Sequence, residues 1–194
     1  MLTALVLLVL SGAGALLINA LPIKASRLAI MGAVLAGVLG SIPVFSFFLT
    51  GQEIFFSFPL NIPCAHFVVA FDGLSAFFLL PILLLSALAA IYGAEYLKPW
   101  HEKKSIGAYW FFYNLLVASM VLVVVARNAI LFLLAWEMMS MASYFLVTFE
   151  AEKPHVQKAG MIYLVATQLG TAFLLALFIL LGSSAGSLDF DHFA

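Results

Sequence analysis

Six apolar stretches, each about as long as a lipid bilayer is thick, dominate this sequence. A helix needs roughly 20 apolar residues to cross a hydrocarbon core about 30 Å thick. Six transmembrane helices are therefore predicted, at Leu2–Leu21, Leu28–Leu49, Gly73–Leu97, Ala108–Ala126, Ala129–Phe149 and Met161–Leu181. Strands of a membrane barrel would be about ten residues long and would alternate in polarity, which these stretches do not. The predicted fold is all-α, a polytopic transmembrane helix bundle with about six spans.

Composition supports an integral membrane protein. Of the 194 residues, 65% are hydrophobic and only 9% are charged, whereas a soluble domain has about 25% charged residues. The net charge of −1 gives no indication of nucleic-acid binding. The single cysteine, Cys64, excludes an internal disulfide and any metal site built from several cysteines.

The basic residues predict how the bundle is oriented. Seven of them fall near the loops between helices one and two, three and four, and five and six, and only Arg127 falls on the alternate side. The seven are Lys24, Arg27, Lys98, Lys103, Lys104, Lys153 and Lys158. By the positive-inside rule, these loops are cytoplasmic and the amino terminus is outside, in the cell (inner or plasma) membrane. The first stretch has no positive charge before it, so it is predicted as a true span rather than a signal peptide.

One long outside loop, at about residues 50–72, contains short runs of residues that favour strands. These runs are Ile54–Phe56 and Phe67–Val69. They predict a small hairpin or an extended lid over the bundle.

Glu137 is an acidic residue near the middle of the fifth apolar stretch. A carboxylate at bilayer depth costs roughly 2.5–3.5 kcal/mol, so it must face protein or water. Ser140 and Tyr144 lie three and seven residues further on, which places them on the same helix face. Such a polar stripe suits a group that accepts and releases protons. The alternative is a protonated Glu137 that only joins two helices by a hydrogen bond.

The sixth stretch carries further polar groups that could serve a hydrated path. Lys158 lies at its cytoplasmic start, where a lysine either reaches the membrane interface or lines a half-channel towards Glu137. Thr167, Gln168 and Thr171 lie deeper and could hydrogen-bond across helices or hold water.

Two acidic residues mark the ends of the third stretch and are possible edges of a proton path. Asp72 precedes it, where the simplest role is a helix N-cap. Glu95 lies near its other end, close to Lys98, where a surface ion pair is expected. Both alternatives stay open for both residues. No residue pattern indicates a catalytic centre or a metal site.

Three segments together resemble the antiporter-like family. They are Trp136–Val147 (WEMMSMASYFLV), Phe71–Phe78 (FDGLSAFF) and Tyr163–Gly170 (YLVATQLG). The family comprises the proton-pumping membrane subunits of respiratory complex I, the Mrp cation/proton antiporter subunits and the membrane subunits of energy-converting hydrogenases. The combination looks most like the membrane subunits of the hydrogenase-4/formate hydrogenlyase branch, and its Trp-Glu pair is the most specific element.

The resemblance implies a longer protein built from two inverted repeats, of which this chain would be a truncated amino-terminal part. Residues 1–127 would form the leading transmembrane helices one to four, and residues 128–194 would begin the proton-translocating module. Glu137 would be the key protonatable residue, paired with a lysine on a helix beyond the sixth. The subunit would hold no cofactor, because other membrane subunits and, through them, a peripheral redox arm would carry out the electron chemistry.

Two functions therefore remain open. The first is proton (or cation/proton) translocation as a non-redox subunit of a membrane oxidoreductase complex, with Glu137 as carrier and with Lys158, Thr167, Tyr144 and Ser140 along the path. The second is a structural or assembly membrane module in which Glu137 only bonds two helices.

Overall fold

The computed structural model describes residues 1–52, 54–62 and 65–193. Along this part of the chain, six helices follow one another, with a β-hairpin between the second and the third. The elements are α1 Leu2–Leu17, α2 Pro22–Thr50, β1 Ile54–Ile62, β2 Ala65–Phe71, α3 Gly73–Tyr96, α4 Ile106–Val125, α5 Ala129–Val147 and α6 Pro154–Ala185. Helices α2 to α6 are long and apolar enough to cross a membrane. The predicted helical bundle is confirmed.

Four helix ends, in α1, α2 and α6, differ most from the predicted bounds. α1 has 16 residues and ends four residues before the predicted Leu21. α2 and α6 begin earlier than predicted, at Pro22 and Pro154, because proline at the first helical position lacks an N–H that would have no partner there. α6 also extends past the predicted Leu181. It ends at Ala185 and is capped by Gly186, whose φ of 69° is the left-handed conformation that favours glycine.

The hairpin predicted in the long loop is confirmed. Its strands pair in antiparallel fashion, with Ile54 opposite Phe71 and Phe56 opposite Val69. Val69 also forms an isolated bridge with Ala126, at the end of α4. The hairpin is thereby attached to the bundle. Cys64 lies outside the described residues.

The core is formed where α1, α2 and α4 pack together. A row of buried alanines on α2 (Ala25, Ala29, Ala33 and Ala36) allows close approach of the neighbouring helices. Polar pairs then connect the helices within this core. The indole Nε1 of Trp110 donates to Ser26 Oγ at 3.0 Å, and Asn114 Nδ2 donates to Ser11 Oγ at 3.0 Å.

The remaining helices surround this core. α3 packs against α2 and α4, and α5 packs along α4, where the rings of Phe112 and Phe145 stack with centroids 4.2 Å apart. α6 packs chiefly against α5. Only Gly160 and Phe178 of α6 are buried, so α6 lies at the edge of the bundle and the α5–α6 interface is its outermost one.

Loop contacts connect the elements at each end of the bundle. At one end, Asn19 Oδ1 accepts a hydrogen bond from the Gly107 amide at 2.8 Å, and Lys104 forms an ion pair with Glu152. At the other end, Arg127 forms an ion pair with Asp72. The basic loops therefore meet at the end of the bundle opposite Arg127.

The chain after α6 folds back onto this second end, which the sequence analysis did not predict. The Ala129 amide donates to the Leu188 carbonyl at 2.9 Å, and the Phe190 amide donates to the Arg127 carbonyl at 2.9 Å. The ring of Phe190 stacks on that of Phe178 with centroids 5.5 Å apart. The segment after α6 therefore holds α6 to the start of α5.

Candidate functional site

Glu137 lies at the middle of α5, the helix that Asn128 begins. The side chain of Asn128 caps the helix by accepting from the Ile130 amide at 2.9 Å. Glu137 follows nine residues later, which is about 13 Å along the helix axis. The side chain is half-buried. This position agrees with the depth expected from the sequence.

The partner of Glu137 is a neutral amide on the neighbouring helix. Gln168 Nε2 donates to Glu137 Oε2 at 3.1 Å. The second carboxyl oxygen, Oε1, is buried and has no hydrogen-bond partner among the described residues. The indole nitrogen of Trp136, the preceding residue, is likewise buried without a hydrogen-bond partner among the described residues. The carboxyl group is thus held by one bond on one oxygen.

α5 and α6 contact each other on both sides of this pair along the helix axis, and Gln168 itself is exposed. Towards the basic end, Gly160 of α6 lies against Tyr144 and Thr148 of α5. Towards the opposite end, the ring of Phe178 packs edge-on against that of Phe132, with centroids 5.6 Å apart. The Glu137–Gln168 pair lies between these two contacts, about midway along both helices.

Ser140 and Tyr144 lie on α5 as predicted, but neither hydrogen-bonds to Glu137 within the described part of the chain. Ser140 is buried, with 2% of its surface exposed. Tyr144 is half-buried, and its backbone carbonyl accepts from Thr148 Oγ1 at 2.7 Å. Their participation in a proton path stays a prediction.

Neither Lys158 nor Thr167 hydrogen-bonds to Glu137 within the described part of the chain. Lys158 is exposed and lies ten residues before Gln168, about 15 Å away along α6. The hydroxyl of Thr167 donates to carbonyls of its own helix, those of Tyr163 at 3.1 Å and Leu164 at 3.0 Å. Their roles in a path also remain predictions.

Asp72 caps α3, as its position predicted. Its Oδ1 accepts from the Ser75 amide at 2.8 Å, and its other oxygen pairs with the Arg127 guanidinium. Burial alone would raise the pKa of Asp72, but the hydrogen bonds from Ser75 and the charge of Arg127 outweigh burial and hold that pKa below its ordinary value. Asp72 is therefore a stable anion at neutral pH.

Glu95 forms the predicted surface ion pair. Its carboxylate lies 2.7 Å from Lys98 Nζ, with 74% of the Glu95 side chain exposed. Exposed pairs of this kind contribute little to stability. No contact connects Glu95 to Glu137 within the described residues.

Sequence reasoning missed two pairings. Gln168 was named as able to hydrogen-bond across helices, but it was not assigned to Glu137. Arg127 was counted only as the exception to the charge bias, although it is the partner of Asp72. In each case the residue was visible, but its partner lies 31 or 55 positions away in the sequence.

The fold and this site define a multi-pass helical membrane protein with a carboxyl group inside one of its spans. Residues 126–194 match the family model described as "NADH:quinone oxidoreductase/Mrp antiporter, TM". The chain is 38% identical over 129 residues to hydrogenase-4 component B of Escherichia coli K12, covering 66% of this chain and 19% of that protein. It is 31% identical over 124 residues to NADH-quinone oxidoreductase subunit L of the same organism, covering 64% of this chain and 20% of that protein.

A solved structure, that of the Mrp complex from Dietzia sp. DQ12-45-1b, shares the fold. It matches 96% of this chain and 20% of its own chain, with a TM-score of 0.78 and 20% identity. Residues 126–194 therefore match the antiporter-like family, and the chain is homologous to hydrogenase-4 component B and to NADH-quinone oxidoreductase subunit L. The family resemblance stated above is confirmed. The chain spans about a fifth of the length of the curated relatives it matches.

Proposed function

We propose that this chain belongs to a proton (or cation/proton) translocating subunit of a membrane-bound oxidoreductase complex, of the hydrogenase-4/formate hydrogenlyase or complex I type. The homology to hydrogenase-4 component B and to NADH-quinone oxidoreductase subunit L supports this class. In this proposal the partners are other membrane subunits and, through them, a peripheral redox arm. The basic loops face the cytoplasm, the amino terminus lies outside, and the membrane is the inner (plasma) membrane.

The observation that carries the proposal is the state of Glu137. Its carboxyl group lies at mid-helix, half-buried, with one oxygen bonded to a neutral amide and the other buried without a partner among the described residues. Its second oxygen is open to the lysine that the family resemblance places on a helix beyond the sixth, so the carboxyl group can exchange a proton there. This is the property that a proton carrier at membrane depth requires.

Replacement of Glu137 by Gln in the membrane complex tests the function. The substitution keeps the size and the hydrogen-bonding capacity of the side chain, but it removes the titratable group. We expect loss of coupled proton movement, measured in inverted membrane vesicles with a pH-sensitive dye while the redox reaction runs. Glu102→Gln is the matched control, because Glu102 is an exposed carboxylate in the loop before α4. Normal pumping by Glu137→Gln would contradict the proposal.

The hydrogen bond to Gln168 favours one alternative, that Glu137 only joins α5 to α6. Under this alternative, Glu137→Gln changes nothing, because an amide can still bond to Gln168. Glu137→Ala would lower the thermal midpoint of the purified protein in detergent. Unchanged transport in the first variant together with lost stability in the second would identify Glu137 as structural.

A further inference from the structure

Gln168 has a chemical property that matters at a group that changes its protonation. Its side-chain amide carries two N–H donors and one carbonyl acceptor. It can donate to an ionised carboxylate, as it does to Glu137 Oε2 at 3.1 Å. After rotation of the amide, it can accept from a protonated carboxyl group.

The bond lies between two contacts of the helix pair. α5 and α6 meet at Gly160 on one side of the bond and at Phe178 on the other. Gln168 lies eight residues after Gly160 and ten before Phe178, or about 12 Å and 15 Å along the axis. Gln168 itself is exposed at the edge of the bundle, and its amide bonds to the half-buried Glu137.

The charged and titratable groups on the helices packed against α5 do not compete for this carboxyl group. None of them hydrogen-bonds or forms an ion pair with Glu137 within the described residues. On α4, α5 and α6 these groups are Tyr109, Tyr113, Tyr144, His155, Lys158 and Tyr163. Among the described residues, Gln168 is the side chain that hydrogen-bonds to Glu137.

We propose that Gln168 is the positioning residue of this site: its amide holds the Glu137 carboxyl group at the α5–α6 interface whether or not that group carries a proton. The inference rests on the proposed proton-carrier role of Glu137, and it adds the element that keeps the carrier in one place. Gln168 itself gains and loses no proton.

The test compares three substitutions in the membrane complex that contains the full chain. Gln168→Leu removes the amide at similar size, and Gln168→Asn keeps the amide but shortens its reach by one methylene. Gln157→Leu is the matched control, because Gln157 is an exposed residue of the same helix, eleven positions earlier. The readouts are the pH profile of coupled proton movement and the infrared carboxyl band that disappears in Glu137→Gln.

Loss of the amide removes the bond that holds the carboxyl group at the interface in both of its protonation states. We therefore expect Gln168→Leu to shift and broaden the infrared carboxyl band of Glu137 and to change the pH profile of coupled proton movement. Gln168→Asn should shift less, and Gln157→Leu should not shift at all. A carboxyl band and a pH profile of Gln168→Leu equal to those of the wild type would overturn the inference.

The failure of this inference and the failure of the proposed function are distinguishable. If Glu137→Gln abolishes pumping while Gln168→Leu leaves both readouts unchanged, the carrier role stands and the positioning role fails. If Glu137→Gln pumps normally, the carrier role fails, and the inference that depends on it fails with it. If Gln168→Leu does not assemble, the shift in Gln168→Asn decides, and no shift there counts against the inference.

Discussion

The Asp72–Arg127 pair allows one stability prediction to be worked out in detail, because two substitutions of Asp72 separate its two contacts. Asp72→Ala removes both the cap on the Ser75 amide and the ion pair. Asp72→Asn removes the ion pair but keeps an oxygen that can cap the helix. N-caps contribute about 1 kcal/mol. The pair is three-quarters buried, at 25% and 21% side-chain exposure, and roughly 0.5–1 kcal/mol is expected for it.

The expected losses are therefore about 1.5–2 kcal/mol for Asp72→Ala and about 0.5–1 kcal/mol for Asp72→Asn. For a chain of this length, 1 kcal/mol corresponds to about 2–4 °C of thermal midpoint. Fluorescence-monitored melting of the purified protein in detergent measures both values. A cycle with Arg127→Gln should return a coupling of the same size as the loss in Asp72→Asn.

The difference in stability between the wild type and Asp72→Asn should depend on pH in a definite direction. The pKa of Asp72 is lowered in the folded protein, so its contribution is present above the ordinary aspartate value and is lost as pH falls through the lowered pKa. The gap between wild type and Asp72→Asn should be full at pH 7 and should close below about pH 4. Equal losses in the two variants, or a gap that widens in acid, would refute the reasoning. Loss of proton movement in a fully stable Asp72→Asn would instead make Asp72 an edge of the proton path.

Two further predictions use matched controls within the chain. Gly107→Ala places a methyl group against the Ala15 carbonyl and should lower stability by about 1–3 kcal/mol. In its control, Gly170→Ala, the methyl group meets nothing within 4 Å, so this variant should be neutral or more stable by up to about 1 kcal/mol. Thermal melting of both variants measures these values. Lys104→Met loses an ion pair to Glu152, a bond to the Phe149 carbonyl and contacts over the rings of Trp100 and Phe149, so about 1.5–3 kcal/mol of stability should be lost. Lys153→Met removes only the pair of an exposed lysine with Glu150, and its thermal midpoint should equal that of the wild type.

The helices could be predicted from the sequence because a bilayer fixes their length and polarity. Their ends were less accurate, since hydropathy detects the apolar part of a helix and not its polar turns. The first turns of α6, from Pro154 to Ala159, are polar, and they were assigned to a loop although they are helical. The return of the tail onto Arg127 and Ala129 depends on backbone hydrogen bonds, which carry no residue pattern, and on side-chain contacts of Phe190 and Asp189 whose partners come together only in the fold.

The candidate site could be predicted in part for the same reason. Glu137 is conspicuous because carboxylates are rare at membrane depth. Its pairing with Gln168 could not be predicted, because it depends on how α6 is rotated about its own axis against α5. That rotation places Lys158 on an exposed surface and turns the Thr167 hydroxyl to its own helix. Gly160 and Phe178, the two buried residues of α6, are the contacts that set it.

Because the Glu137–Gln168 pair depends on the rotation of α6, a substitution of Gly160 tests the site from about 12 Å away along the helix. A methyl group at Gly160 would overlap the methyl carbon of Thr148, a stiff side chain whose hydroxyl is bonded to the Tyr144 carbonyl at 2.7 Å. Gly160→Ala should therefore displace α6, at a cost of about 1–2 kcal/mol, and should alter the infrared carboxyl band of Glu137. Thr148→Ser removes only the overlapping methyl group, so the double variant should recover most of the stability and the wild-type band. Strictly additive losses in the double variant, or an unchanged band in Gly160→Ala, would show that this contact does not hold the Glu137–Gln168 pair together.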